Sequence, residues 1–138
     1  MSILRTSRQV DWASNDYVNL TAGAAVYSTA VNITVGAFVG SVSIRVDNQG
    51  TPGTNDIVTV KVLYSNGDIV GNPDASSSYE TPKHANTVAV LNTHTEDPAE
   101  RNIPISVGHE AFKIYVEANA SATNTLRVYA QYTEQISS

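Results

Sequence analysis

The feature that most constrains this chain is an alternation of apolar and polar residues in short runs, each closed by residues that end a β-ladder. In Val42-Ser43-Ile44-Arg45-Val46-Asp47 the apolar side chains fall on one face and the polar ones on the other, as a half-buried strand requires. Val58, Val60, Val62 and Tyr64 repeat the pattern, with Thr59 and Lys61 facing the other way. Longer runs follow at Tyr27 to Val35, Phe112 to Ala118 and Leu126 to Tyr132, and shorter ones at Tyr17 to Leu20, Thr87 to Asn92 and Ile103 to Val107. About eight strands with turn signals between them predict an all-β, antiparallel, jelly-roll-like sandwich with little helix.

The turn chemistry refines this reading. Asn48-Gln49-Gly50-Thr51-Pro52-Gly53-Thr54-Asn55-Asp56 supplies residues that fix φ or accept a positive one, and predicts a long hairpin loop joining the strands on either side. Asn66-Gly67 favours a type I′ turn that would fold Ile69-Val70 back on the preceding strand. One helical turn is expected at Asp97-Pro98-Ala99-Glu100-Arg101, where Asp can cap and Pro can take the first helical position. Residues 1–16 lack sustained alternation and read as a polar N-terminal arm, leaving 17–138 as a single sandwich domain. Gly71 to Lys83, rich in Ser, Pro and acid, is the other segment without a strand pattern.

Composition narrows the classes of function. There are no cysteines, so disulfides, thiolate zinc sites and a cysteine nucleophile are excluded together and the core must stand on packing. No run approaches the ~20 apolar residues of a membrane span, and Met1 to Arg8 lacks the apolar centre of a signal peptide, so folding in a cytoplasm is expected. A formal net charge of -5, with 8 Lys plus Arg and no basic run, argues against nucleic acid, whose phosphates such a surface repels. Only 15% of residues are charged, and 14 Ser, 14 Thr and 12 Asn take their place. That composition suits a surface of strands and turns, part of it covered by neighbours.

The residues with chemical potential reduce to structural uses. His84, His94 and His109 lie in turn-rich segments without metal-ligand spacing. No nucleophile elbow accompanies the many serines, and Glu96, Asp97 and Glu100 cluster at the expected helix start, where acids are favoured. Asp47, Asn48, Asn55 and Asp56 flank one loop and could hold calcium, but the same residues are the ordinary occupants of tight turns. Asn19-Leu20-Thr21, Asn32-Ile33-Thr34 and Asn119-Ala120-Ser121 match the glycosylation pattern, as an Asn-rich and Thr-rich chain does by chance. No catalytic residue, cofactor or metal is assigned, and the expectation is a protein that is not an enzyme.

Surfaces for a protein partner are the remaining candidates. The arm carries Arg5, Arg8 and Trp12, the single Trp of the chain. Trp12 either anchors an interface, as buried aromatics do, or closes the open end of the core. The outward residues of the last two long runs, Lys113, Tyr115 and Glu117 with Arg127, Tyr129 and Gln131, would form one face with two Tyr and both charge signs if those strands pair. Arg5, Arg8, Trp12, Tyr115 and Tyr129 are therefore the candidate partner-binding residues.

In style the chain resembles the small β-sandwich decoration, or cement, proteins that coat the capsids of tailed bacteriophages. The likeness lies in the polar start, the Val42 to Asp47 strand, the Asn48 to Gly53 loop, Val58 to Tyr64, and the closing pair Phe112 to Glu117 and Leu126 to Tyr132. It implies a structural virion protein that folds in the host cytoplasm and binds the capsid surface as a dimer or trimer. Its partner would be the major capsid protein, whose subunits it bridges. The alternative is a carbohydrate-binding sandwich of a tail or surface appendage, resting on the same fold and on seven Tyr.

Overall fold

Alternation at the strand period leaves each strand one apolar face, and two sheets facing each other are the simplest way to bury those faces. The computed structural model describes residues 2–13, 15–65 and 79–137. In chain order its strands are β1 (Ile3–Gln9), β2 (Val18–Leu20), β3 (Ala25–Tyr27), β4 (Val31–Asn32), β5 (Ala37–Asn48), β6 (Ile57–Tyr64), β7 (Thr87–Asn92), β8 (Ala99–Ile105), β9 (Ala111–Ala118) and β10 (Leu126–Ser137). A short 3-10 turn covers Pro82–His84. The first sheet has the order β1-β10-β5-β8, with β2 also on β10; the second has β3-β9-β6-β7, with β4 also on β9. All pairings are antiparallel.

The inward rows are those the alternation marks. From the first sheet Val42, Ile44, Val46, Leu126, Val128 and Tyr132 are buried, and from the second Val58, Val60, Leu91, Phe112, Ile114 and Val116 meet them. Burying each such side chain contributes roughly 1.5–3 kcal/mol. The layers lock where the Phe112 and Tyr132 rings meet edge to face at 5.1 Å. Gly40 makes that possible, because a Cβ there would lie 2.8 Å from the Tyr132 hydroxyl.

Five expectations are corrected. β5 and β6 do not form a hairpin, since β5 pairs with β10 and β8 while β6 pairs with β9 and β7. The loop between them instead crosses the ~10 Å between the layers. For the same reason β9 and β10 lie in opposite sheets and do not pair. Residues 97–101 are not helical: β8 starts at Ala99 and runs through Pro104, which is tolerated because β8 is an edge strand with one neighbour.

The fourth correction concerns the arm. Residues 3–9 are an edge strand in register with β10 from Ile3↔Ser137 to Gln9↔Gln131, and Val10 and Trp12 that follow are 1% and 2% exposed within the core. Of the two readings of Trp12, closing the core is the one the structure takes. Alternation does not mark this strand because both its faces are largely exposed; backbone ladder bonds hold it, and these leave no hydrophobic period. The expected run Tyr27 to Val35 is also interrupted, at buried Ser28, whose hydroxyl accepts the Ile114 N–H at 2.8 Å. The proposed turn at Asn66-Gly67, Ile69-Val70, and residues 71–78 lie outside the described residues.

Candidate functional site

A recess lies on the outer face of the first sheet. Register places Gln9, Gln131, Ser43 and Asn102 in one row across β1, β10, β5 and β8. Tyr129, Arg45 and Glu100 form the next row. Together with Arg101 they line an open groove of ≈ 630 Å³. Ser43, Asn102 and Gln131 are exposed and present a hydroxyl and two amides to solvent. The charges of the groove are answered within it or at its rim: Arg45 donates to Asp47 at 2.7 Å and lies 3.8 Å from Glu100, and Arg101 pairs with Glu96 at 3.0 Å. Tyr129 is braced by the Tyr17 ring at 5.9 Å, and Arg127 covers Tyr17 at 4.4 Å.

A second feature is an apolar projection at one end of the same sheet. There Leu4, Ile136 and Ala37 are cross-strand neighbours, as are Arg5, Gln135 and Val39 one step inward. Ile3, Leu4, Phe38 and Val39 are 61%, 50%, 47% and 46% exposed, and Val35 in the turn before β5 is 98% exposed. The register shift between Gln135 and Ile136 leaves Phe38 as the extra residue of a bulge.

Two buried carboxylates fix the ends of the sandwich. Asp56 is fully buried and accepts the Gly53 N–H at 2.8 Å, the Thr123 N–H at 2.7 Å, and amide donors of Asn48 and Asn124 at 2.9 Å each. The Thr123 hydroxyl adds a further bond. Burial alone would push this carboxyl up, but the converging donors outweigh it and hold it well below the usual aspartate range. All its partners are donors, so it ties the β5–β6 loop to the β9–β10 loop as an anion in a donor cage. Of the calcium candidates, Asn48 is thus a donor to Asp56, and Asp47 is turned to Arg45.

Glu134 continues the inward row of β10 and is 1% exposed. It accepts from the Thr34 hydroxyl, from the Thr34 N–H at 3.2 Å, and from Arg8 at 3.0 Å. Burial raises this carboxyl, and the Thr34 and Arg8 hydrogen bonds more than reverse the effect, so it stays ionised below the ordinary glutamate value. Arg8 also stacks over Tyr132 at 5.0 Å and donates to the Asn32 carbonyl. The sequence held a sign of this: Glu134 falls on the apolar face of the alternation.

The sequence candidates are therefore dispersed. Arg5 is exposed on the outer face beside the apolar end, Arg8 serves Glu134, and Trp12 lies in the core. Tyr115 is on the outer face of the second sheet, 9% exposed beneath Tyr27 at 5.4 Å. Burial, then its hydrogen bond to Glu117, pushes its hydroxyl up to about 12. Tyr115 and Tyr129 thus belong to opposite sheets. The histidines do not converge either, with His94 near the Pro52 carbonyl at 3.3 Å and His109 stacked on Tyr64 at 4.4 Å. Among the described residues no group of three or more His, Asp or Glu could hold a metal ion.

The chain matches no protein-family model and no curated protein sequence. Similar solved structures exist. One is a structure of infectious bursal disease virus, Gx strain, at TM-score 0.54 and 9% identity, covering 99% of this chain and 33% of that one. The VP2 subviral particle of infectious bursal disease virus gives TM-score 0.54 at 10% identity, over 97% of this chain and 32% of that one. A family 29 carbohydrate-binding module from Piromyces equi gives 0.49 at 11% identity, over 94% and 90%. The chain spans about a third of the two viral chains. At such identities the likeness shows the β-sandwich fold alone.

Proposed function

We propose that this is a non-enzymatic structural protein of a bacteriophage virion. It binds the outer surface of the capsid as a homo-oligomer and bridges subunits of the major capsid protein. The observation that carries this reading is the apolar end of the first sheet, where Ile3 and Val39 are exposed on one face, Leu4 on the other, and Val35 and Phe38 in the adjoining turn and bulge. Five large apolar side chains exposed at one end of a small domain suit a contact with another protein. A site with convergent titrating groups in a pocket would favour an enzyme; here the perturbed carboxylates Asp56 and Glu134 are buried and saturated with donors. The sandwich shared with virus particles is compatible with the role.

Co-sedimentation with expanded tailed-phage capsids, alongside size-exclusion chromatography with light scattering, tests this. The full chain is expected to sediment with expanded shells and to elute as a dimer or trimer. Phe38→Asp with Val39→Asp should abolish attachment while leaving the melting temperature within about 2 °C, since both side chains face solvent. A strictly monomeric chain that leaves every shell bare, or a double variant that binds as well as the parent, would sink the proposal.

A further inference from the structure

From the groove on the outer face of the first sheet we infer a second binding activity: this face takes a neutral oligosaccharide lying across the strands. The inference does not rest on capsid attachment. Its ground is the row Gln9, Gln131, Ser43 and Asn102, one hydrogen-bonding side chain from each of β1, β10, β5 and β8. Amides and hydroxyls both donate and accept, as sugar hydroxyls do, so such a row matches a ligand whose groups have the same dual character. Strands repeat every ~4.8 Å, close to the length of one pyranose in an extended glycan. Successive sugar units would therefore meet successive strands.

The shape agrees with the chemistry. Ser43 is the smallest side chain of the row and lowers the floor between Gln131 and Asn102, while the backbone at Ile44 and Ala130 forms the base. Tyr129 stands in the adjoining row, partly exposed and held by Tyr17 at 5.9 Å. A fixed aromatic face beside polar groups is the arrangement that stacks the C–H face of a sugar while its hydroxyls are held.

Other ligand classes fit less well. Arg45 and Arg101 are already paired with Asp47, Glu100 and Glu96, so the groove offers no uncompensated cation row for a nucleic acid or a sulfated chain. The core of a protein interface is built on apolar and aromatic anchors, and the row that crosses this groove is Gln9, Gln131, Ser43 and Asn102. A neutral ligand loses least on entering a groove whose charges are internally matched.

The test is an array of defined neutral and anionic glycans probed with the full chain, followed by titration of retained neutral oligosaccharides by NMR. Ser43→Tyr should fill the groove, and Gln131→Ala combined with Asn102→Ala should remove two hydrogen bonds. Each change is expected to weaken binding about tenfold or more, with melting unchanged because these positions are exposed. Should Ser43→Tyr fail to fold, the paired alanine variant carries the test. An array without retained neutral glycans, binding confined to anionic glycans and lost in salt, or variants that bind like the parent would each overturn the inference. Capsid co-sedimentation of the same variants should be unaffected, which separates this activity from the structural role.

Discussion

Replacing Asp56 is expected to cost this protein more than any other single polar substitution. The carboxylate receives bonds from Asn48, Gly53, Thr123 and Asn124 at 2.7–2.9 Å, and hydrogen bonds to a charged group are worth roughly 1.5–3 kcal/mol each without adding fully. Asp56→Ala removes the acceptor and leaves these donors facing one another, for a loss of about 4 kcal/mol. For a chain of this size that lowers Tm by roughly 15 °C. Asp56→Asn keeps the shape but turns one amide N–H toward donors, and should lose about half as much.

The pH dependence separates this account from a mere packing defect. The folded carboxyl lies below its unfolded value of about 4. Its contribution is therefore complete above that value and is lost as pH falls through the lower folded value. Melts followed by far-UV circular dichroism at pH 7 should show the full gap between the parent and Asp56→Asn. At about pH 3 the gap should begin to close, because only the parent still has that carboxylate to lose. Added calcium should leave the parent's Tm unchanged. A parent and Asp56→Ala that melt within about 2 °C of each other at pH 7, a gap that does not depend on pH, or a calcium-dependent rise in Tm would refute the donor-cage reasoning.

Two further outcomes concern Arg8 in β1 and Trp12 just after it. Trp12→Ala should lose about 3–5 kcal/mol in urea unfolding, since the ring is 2% exposed; a loss below 1 kcal/mol would show that the ring is not part of the core. Arg8→Ala leaves buried Glu134 without its cation and should destabilise the fold by about 2 kcal/mol at pH 7. Because the Glu134 value lies below its unfolded one, that penalty should shrink below about pH 4, and an unchanged penalty in acid would exclude the pairing as its source.

The place of residues 3–12 in the fold bears on the proposed attachment. Attachment by an arm that orders on a neighbour loses conformational entropy on binding. A strand already paired with β10 along its length has met that cost in folding. Its exposed Leu4 is then held in place beside Ile136, with exposed Ile3 next to it in the strand.

Period-two alternation by itself determined that Val42, Ile44 and Val46 share a face, that Val58, Val60 and Val62 do, and that Ile114, Val116, Leu126 and Val128 point inward. It thereby determined an all-β sandwich. The sequence also determined that no cysteine chemistry was available, and it carried Glu134 on an apolar row as a visible anomaly. Only the tertiary structure decided that β5 lies beside β10 and β8 and not beside β6, which separated Tyr115 from Tyr129 and assembled Gln9, Gln131, Ser43 and Asn102 into one row. It also decided that Glu134 meets residues 126 and 100 positions away, and that Asp56 sits among donors from Asn48 to Asn124. The side-chain period is a property of the local backbone and survives in any strand pairing. The choice of neighbour is set by closing two sheets over one core, and a polar side chain takes its role from that neighbour.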